Sequence, residues 1–193
     1  MTTNRLEAFS DGVMAIIITI MVLEMKIPDF GGIESLIPII PTFISYVLSF
    51  LYVGIYWNNH HHLWQAVEHV NGKILWANLH LLFWLSLFPV TTAWLGHNPV
   101  SEVPVALYGV VLFMASVAWY IMAKLVIQEE GTESKVATAY KNDIKTRISM
   151  GIYAFAIICA FIFPLASCII YAVLAFLWLI PDTRIEKTLL TKK

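Results

Sequence analysis

The chain has 193 residues, of which 59% are hydrophobic and only 13% charged, and its mean hydropathy is +0.75. That charged share is about half the usual one for a soluble domain, and a water-soluble core of this length cannot bury so much apolar surface. The composition excludes a disordered chain, a collagen-like repeat and a disulfide scaffold, and a net charge of −1 leaves no basic field for nucleic acid. The chain reads as an integral membrane protein.

Near the N-terminus Arg5 is followed by Glu7 and Asp11 rather than by an unbroken apolar stretch. That is not a cleavable signal, so the first hydrophobic segment is expected to be part of the mature protein. Windows of about 20 residues pick out six apolar segments. They lie near 6–25, 36–57, 74–95, 103–124, 147–163 and 166–181. Lys26, Pro28, Asp29, Gly31 and Gly32 close the first, and the run Asn58–His62 closes the second. Gly96, His97, Asn98 and Pro99 close the third, and the polar stretch from Gln128 to Lys145 closes the fourth. From Ile148 to Ile180 the chain is apolar over about 50 Å of helix, too long for one crossing, and Pro164 divides it into a hairpin. The expectation is an all-α membrane protein with six transmembrane helices in a single domain, residues 1–193.

Charge placement fits six crossings. Arg5, Lys73, Lys124, Lys135, Lys141, Lys145, Arg147, Arg184, Lys187, Lys192 and Lys193 fall on one side, and Lys26 alone on the other. The positive-inside rule makes that side, with both termini, cytoplasmic. Tyr56, Trp57, Trp64, Trp76, Trp94, Trp119, Tyr120 and Trp178 gather near the expected interfaces, where aromatic side chains anchor spans. Cys159 and Cys168 sit inside apolar runs with no paired spacing, so buried free thiols are expected.

The first segment is the unusual one. Its unbroken apolar part runs only from Val13 to Leu23 and contains Thr19, with Glu7, Ser10 and Asp11 at one end and Glu24 at the other. A carboxylate in hydrocarbon costs a few kcal/mol on insertion scales, so Asp11 is expected to face protein or water. At 100° per residue, Gly12, Ala15, Ile16, Thr19 and Leu23 share one stripe about 100° wide. Spacing alone leaves two readings open, a close-packed seam of small residues between helices and the lining of a pore.

Arg5-Leu6-Glu7-Ala8-Phe9-Ser10-Asp11 opens this helix with an R-x-x-x-F-S-D string. It resembles the signature of the endolysosomal potassium channel family, transmembrane protein 175, and its prokaryotic single-repeat relatives. Trp57 and His60 resemble the W-x-x-H near the end of that family's second span. Asn78-Leu79, followed by Phe88-Pro89, resembles its third-span pattern. The last three segments match in hydropathy only.

The resemblance implies a homotetramer in the cell membrane, with four first helices around a central pore that conducts potassium ions. By position, Ile16 falls at the family's hydrophobic constriction, Thr19 at its hydroxyl layer and Leu23 at a second apolar ring. Arg5, Phe9, Ser10 and Asp11 would tie the first helix to its neighbours, with Trp57, His60 and Asn78 as partners. No carbonyl-cage filter of the TVGYG kind is present, and no cofactor or resident metal is implied.

Two rivals follow from the residues. Asp11 and His80 suggest a proton relay of a secondary or proton-coupled cation transporter, but the chain lacks the internal repeats common in such carriers. His60, His61, His62, Glu68 and His69 suggest an interfacial metal enzyme, but no H-E-x-x-H or paired-cysteine spacing supports one. The sequence is therefore expected to encode a potassium-preferring cation channel, not an enzyme.

Overall fold

A computed structural model describes residues 3–26, 31–140 and 143–179. Its elements are all helical: α1 (Thr3–Leu23), a 3-10 helix (Ile33–Ile39), α2 (Ile40–Gln65), α3 (Gly72–Ser86), α4 (Phe88–His97), α5 (Glu102–Glu130), α6 (Lys135–Tyr140), α7 (Ile144–Ala160) and α8 (Pro164–Leu179). Among the described residues, four helical stretches are long and apolar enough to cross a membrane: Thr3–Leu23, Ile33–Gln65, Gly72–His97 and Glu102–Glu130. The last two helices are shorter, at 17 residues for α7 and 16 for α8. Pro28, Asp29, Lys141, Arg184, Lys187, Lys192 and Lys193, used above as punctuation or charge markers, lie outside the described residues.

Helix α5 lies at the centre, packed against α3, α4, α7 and α8, while α1 flanks the bundle on α2, α3 and α4. The core is built from fully buried side chains such as Val53, Leu63, Ile74, Leu81, Leu85, Phe88, Leu112 and Met122. Two glycines permit close approaches. A Cβ on Gly96 of α4 would stand 2.7 Å from the Thr42 Cα and 2.6 Å from the Ser45 Oγ of α2. A Cβ on Gly109 of α5 would collide with the Tyr171 hydroxyl of α8. The Tyr171 backbone carbonyl accepts the Tyr52 hydroxyl at 2.6 Å, and Tyr52 in turn accepts Tyr153 at 3.2 Å, joining α2, α7 and α8.

Several expected boundaries shift for physical reasons. The second helix does not stop at Asn58–His62 but runs on to Gln65, because His60, Leu63 and Trp64 turn into the bundle and are buried there. The third segment is two helices rather than one. Leu87 N bonds Trp84 O at 3.3 Å in a tightened turn, and Pro89 in the first turn of α4 cannot donate to the preceding turn. The helix of the fourth expected segment, α5, continues six residues past the expected end at 124, to Glu130, and buries Val126. Its terminal carboxylates bind the α2–α3 loop: Glu130 Oε1 accepts the Glu68 and His69 amides at 2.9 and 2.8 Å, and Glu129 Oε2 accepts Asn71 Nδ2 at 2.6 Å. The expected buried thiols Cys159 and Cys168 are free but only half-buried. Trp64 and Trp119, expected at interfaces, are core residues.

Candidate ion-pathway helix

Helix α1 presents two opposite faces. Leu6, Ser10, Met14, Ile17 and Met21 recur at helical spacing and are buried against the rest of the chain. Gly12, Ala15, Ile16, Thr19 and Leu23 lie on the other side, and all are exposed. Ile16 keeps 58% and Leu23 81% of their surface accessible, so one chain by itself leaves this apolar face uncovered. On it, Thr19 Oγ1 donates to the Ile16 carbonyl at 2.8 Å. With its proton held on the helix, the hydroxyl offers outward only its acceptor lone pairs.

A polar chain fixes the buried face near the N-terminal end. Ser10 Oγ is fully buried, donates to the Leu6 carbonyl at 2.9 Å and accepts Asn78 Nδ2 at 3.0 Å. Asn78 Oδ1 stands 2.8 Å from His60 Nε2, and Trp64 Nε1 donates to that same nitrogen at 2.7 Å. The two contacts compete, since a nitrogen that accepts from the indole has no proton to give Asn78. The other ring nitrogen, His60 Nδ1, is buried without a hydrogen-bond partner among the described residues.

A second link lies beside the first. His61 Nδ1 donates a hydrogen bond to Glu7 Oε1 at 2.7 Å, Gln65 Nε2 meets His61 Nε2 at 2.8 Å, and Trp57 stacks on the His61 ring at 6.1 Å between centroids. Sequence reasoning gave no role to Glu7 or Gln65, placed Trp64 at an interface and weighed His61 only as a metal ligand. The i, i+4 spacing of Trp57 with His61, His60 with Trp64 and His61 with Gln65 along α2 was the available signal.

The remaining expected site residues divide. Ser10, His60 and Asn78 meet in one hydrogen-bonded chain. Trp57 touches His61 rather than that chain. Arg5 and Phe9 are exposed. Asp11 is half-buried, and its Oδ1 is enclosed without a partner among the described residues. His80 accepts Trp84 Nε1 within α3 at 3.0 Å, so its recorded hydrogen bond runs along its own helix and not toward Asp11. The histidine run does not converge: His60 points into the bundle, and His61 points toward α1.

Towards its other end α1 has a softer contact. Thr92 Oγ1 lies 3.7 Å from Met21 Sδ and belongs to a cluster in which Ser49 Oγ is 2.7 Å from Thr92 and 3.0 Å from the Tyr108 hydroxyl.

Comparison with known proteins bears on this arrangement. The family described as endosomal/lysosomal potassium channel TMEM175 matches residues 5–89, which hold nearly all of α1, the polar chain and the α3–α4 break. A potassium channel of Chryseobacterium sp. is 53% identical over 189 residues, covering 98% of each chain. The human endosomal/lysosomal proton channel TMEM175 is 27% identical over 179 residues, and this chain spans only 36% of its length. The crystal structure of a lysosomal potassium-selective channel TMEM175 homolog from Chamaesiphon minutus superposes with a TM-score of 0.82 at 27% identity, over 93% of this chain and 97% of that one. These relatives are ion channels and not enzymes, and this membrane protein belongs to the TMEM175 channel family.

Proposed function

We propose that the protein is a potassium-preferring cation channel of the cell membrane, formed by four copies whose α1 helices surround a central pore. The observation that carries this reading is the uncovered α1 face, which holds Gly12, Ala15, Ile16, Thr19 and Leu23 opposite the face packed on α2, α3 and α4. The potassium-channel names of its bacterial relatives support the ion assignment.

In this reading one domain spans the membrane six times with both termini cytoplasmic. Helices α7 and α8, each about 25 Å long at 1.5 Å per residue, form the last two crossings by local thinning of the bilayer. Four Ile16 side chains make an apolar neck that closes by dewetting and opens when the helices rotate or spread slightly. One turn further on, the Thr19 hydroxyls replace part of a cation's hydration shell with acceptor oxygens. An open ring of hydroxyls discriminates less strictly than a carbonyl cage, so preference for potassium over sodium is modest. Arg5, Phe9 and Asp11 serve contacts between neighbouring helices, and Leu23 forms a second apolar ring at the outer mouth.

The test is potassium efflux from loaded liposomes into sodium medium, comparing the unsubstituted protein with Ile16→Asn. A polar ring at the neck holds water, so the expected result is potassium flux that rises about tenfold or more in the variant. No potassium flux from either protein, across a range of pH and voltage, would sink the proposal.

A further inference from the structure

We propose that the membrane edge between the C-terminal end of α5 and the first turn of α7 binds the phosphate headgroup of an anionic phospholipid. An open cavity of about 370 Å³ lies there, lined by Tyr120, Lys124, Ile127, Tyr140, Asp143 and Arg147. Its depth is right for a headgroup. From Pro104 to Lys124, α5 rises about 30 Å at 1.5 Å per residue, which is the thickness of a hydrocarbon core. Lys124 therefore stands where acyl chains give way to headgroups.

The electrostatics favour an anion. Lys124 and Arg147 come from different helices into one cavity, and both are exposed. Among the described residues neither has a carboxylate within ion-pair distance. Lys124 Nζ rests 4.6 Å over the Tyr120 ring, which holds the ammonium at the edge of the apolar surface without neutralising it. The nearby carboxylates have other partners. Asp143 Oδ1 accepts the Thr146 amide at 3.3 Å and hydroxyl at 2.9 Å, capping α7. Glu129 and Glu130 turn away to the α2–α3 loop. An arginine and a lysine at headgroup depth, flanked by two tyrosines, match a phosphodiester whose acyl chains continue down the bundle.

The experiment reads binding and not ion flux, so its outcome is independent of the pore proposal. The full chain, purified in dodecyl maltoside, is titrated with dioleoylphosphatidylglycerol, with dioleoylphosphatidylcholine and with inorganic phosphate, and its melting temperature is followed. Phosphatidylglycerol should raise the melting temperature with saturation, and the other two should not. In Lys124→Gln/Arg147→Gln the midpoint of that titration should move about tenfold higher. The charge-keeping pair Lys124→Arg/Arg147→Lys should stay near the original value, as should Lys73→Gln, a surface cation elsewhere. Equal responses in the original and double-Gln proteins would overturn the proposal. So would an equal effect of phosphatidylcholine, or no response to phosphatidylglycerol. An equal effect of inorganic phosphate would overturn the assignment to lipid in favour of the free anion.

Discussion

Glu7 Oε1 and His61 Nδ1 stand 2.7 Å apart and join the start of α1 to the end of α2. The imidazole is held from three sides, by the Glu7 carboxylate, the Gln65 amide and the stacked Trp57 ring. The pair is partly open, with side-chain exposures of 39% for His61 and 21% for Glu7, so solvent weakens it. A double-mutant cycle with Glu7→Gln and His61→Phe, read by chemical unfolding in detergent, should give a coupling of about 0.5 kcal/mol. Strictly additive effects would show that the contact does not stabilise the fold.

The neighbouring link lies deeper and matters more. Asn78→Ala removes the donor to Ser10 and the acceptor beside His60, and leaves two fully buried polar side chains short of a partner. Unfolding measurements should register a loss of about 2–3 kcal/mol. Leu79→Ala, on the exposed side of the same helix, should cost much less. Similar losses for both would mean that packing, not the polar chain, holds α3 to α1.

Thr19 offers the opposite case, a residue whose loss should leave the protomer intact. It is exposed, and its recorded hydrogen bond is to its own helix, so Thr19→Val should unfold at the same point as the parent. Under a potassium/sodium gradient the reversal potential should move toward equal permeability, by at least about twofold in the ratio, while Thr19→Ser should restore preference. An unchanged reversal potential in Thr19→Val would remove the hydroxyl layer from the mechanism.

Gly96 tests the packing of α4 on α2. Because the added methyl group of Gly96→Ala meets backbone at Thr42 as well as the Ser45 side chain, rotamer change alone cannot relieve the clash. The helices must separate, at a cost of about 2 kcal/mol in unfolding experiments. A variant as stable as the parent would mean that the 3-10 helix and the start of α2 yield readily.

The sequence was most informative where a single helix carries the information. The stripe Gly12, Ala15, Ile16, Thr19 and Leu23 follows from periodicity within α1, and the structure leaves those same five residues exposed. The meeting of Ser10, His60 and Asn78 is tertiary, and only their likeness to a family pattern pointed to it. His61 was illegible because adjacent residues on a helix point about 100° apart. Which of three consecutive histidines faces α1 depends on the rotational setting of α2, which composition does not encode. The break at Leu87 was also obscured, since Pro89 was read as part of a signature rather than as a helix-starting residue. For the same reason Asn58–His62 looked like an end. Polar residues terminate a span only if nothing packed on the helix meets them, and here Trp64 and Asn78 meet His60 and Glu7 meets His61.

The two ends of α1 are held very differently, and the consequence is mechanical. Around Ser10 the helix is fastened by a directional bond from Asn78 at 3.0 Å, whereas Met21 meets Thr92 through a thioether at 3.7 Å. Such a sulfur contact slides at little cost. In the proposed pore the helix pivots at Ser10 on an arm of about 20 Å to Leu23, with the buried Met14, Ile17 and Met21 sliding on the bundle. A swing of about 5° displaces Leu23 by about 1.7 Å, Thr19 by about 1.2 Å and Ile16 by less than about 1 Å, on the same 1.5 Å rise per residue. In the proposed pore a given swing therefore widens the Leu23 ring most and the Ile16 neck least.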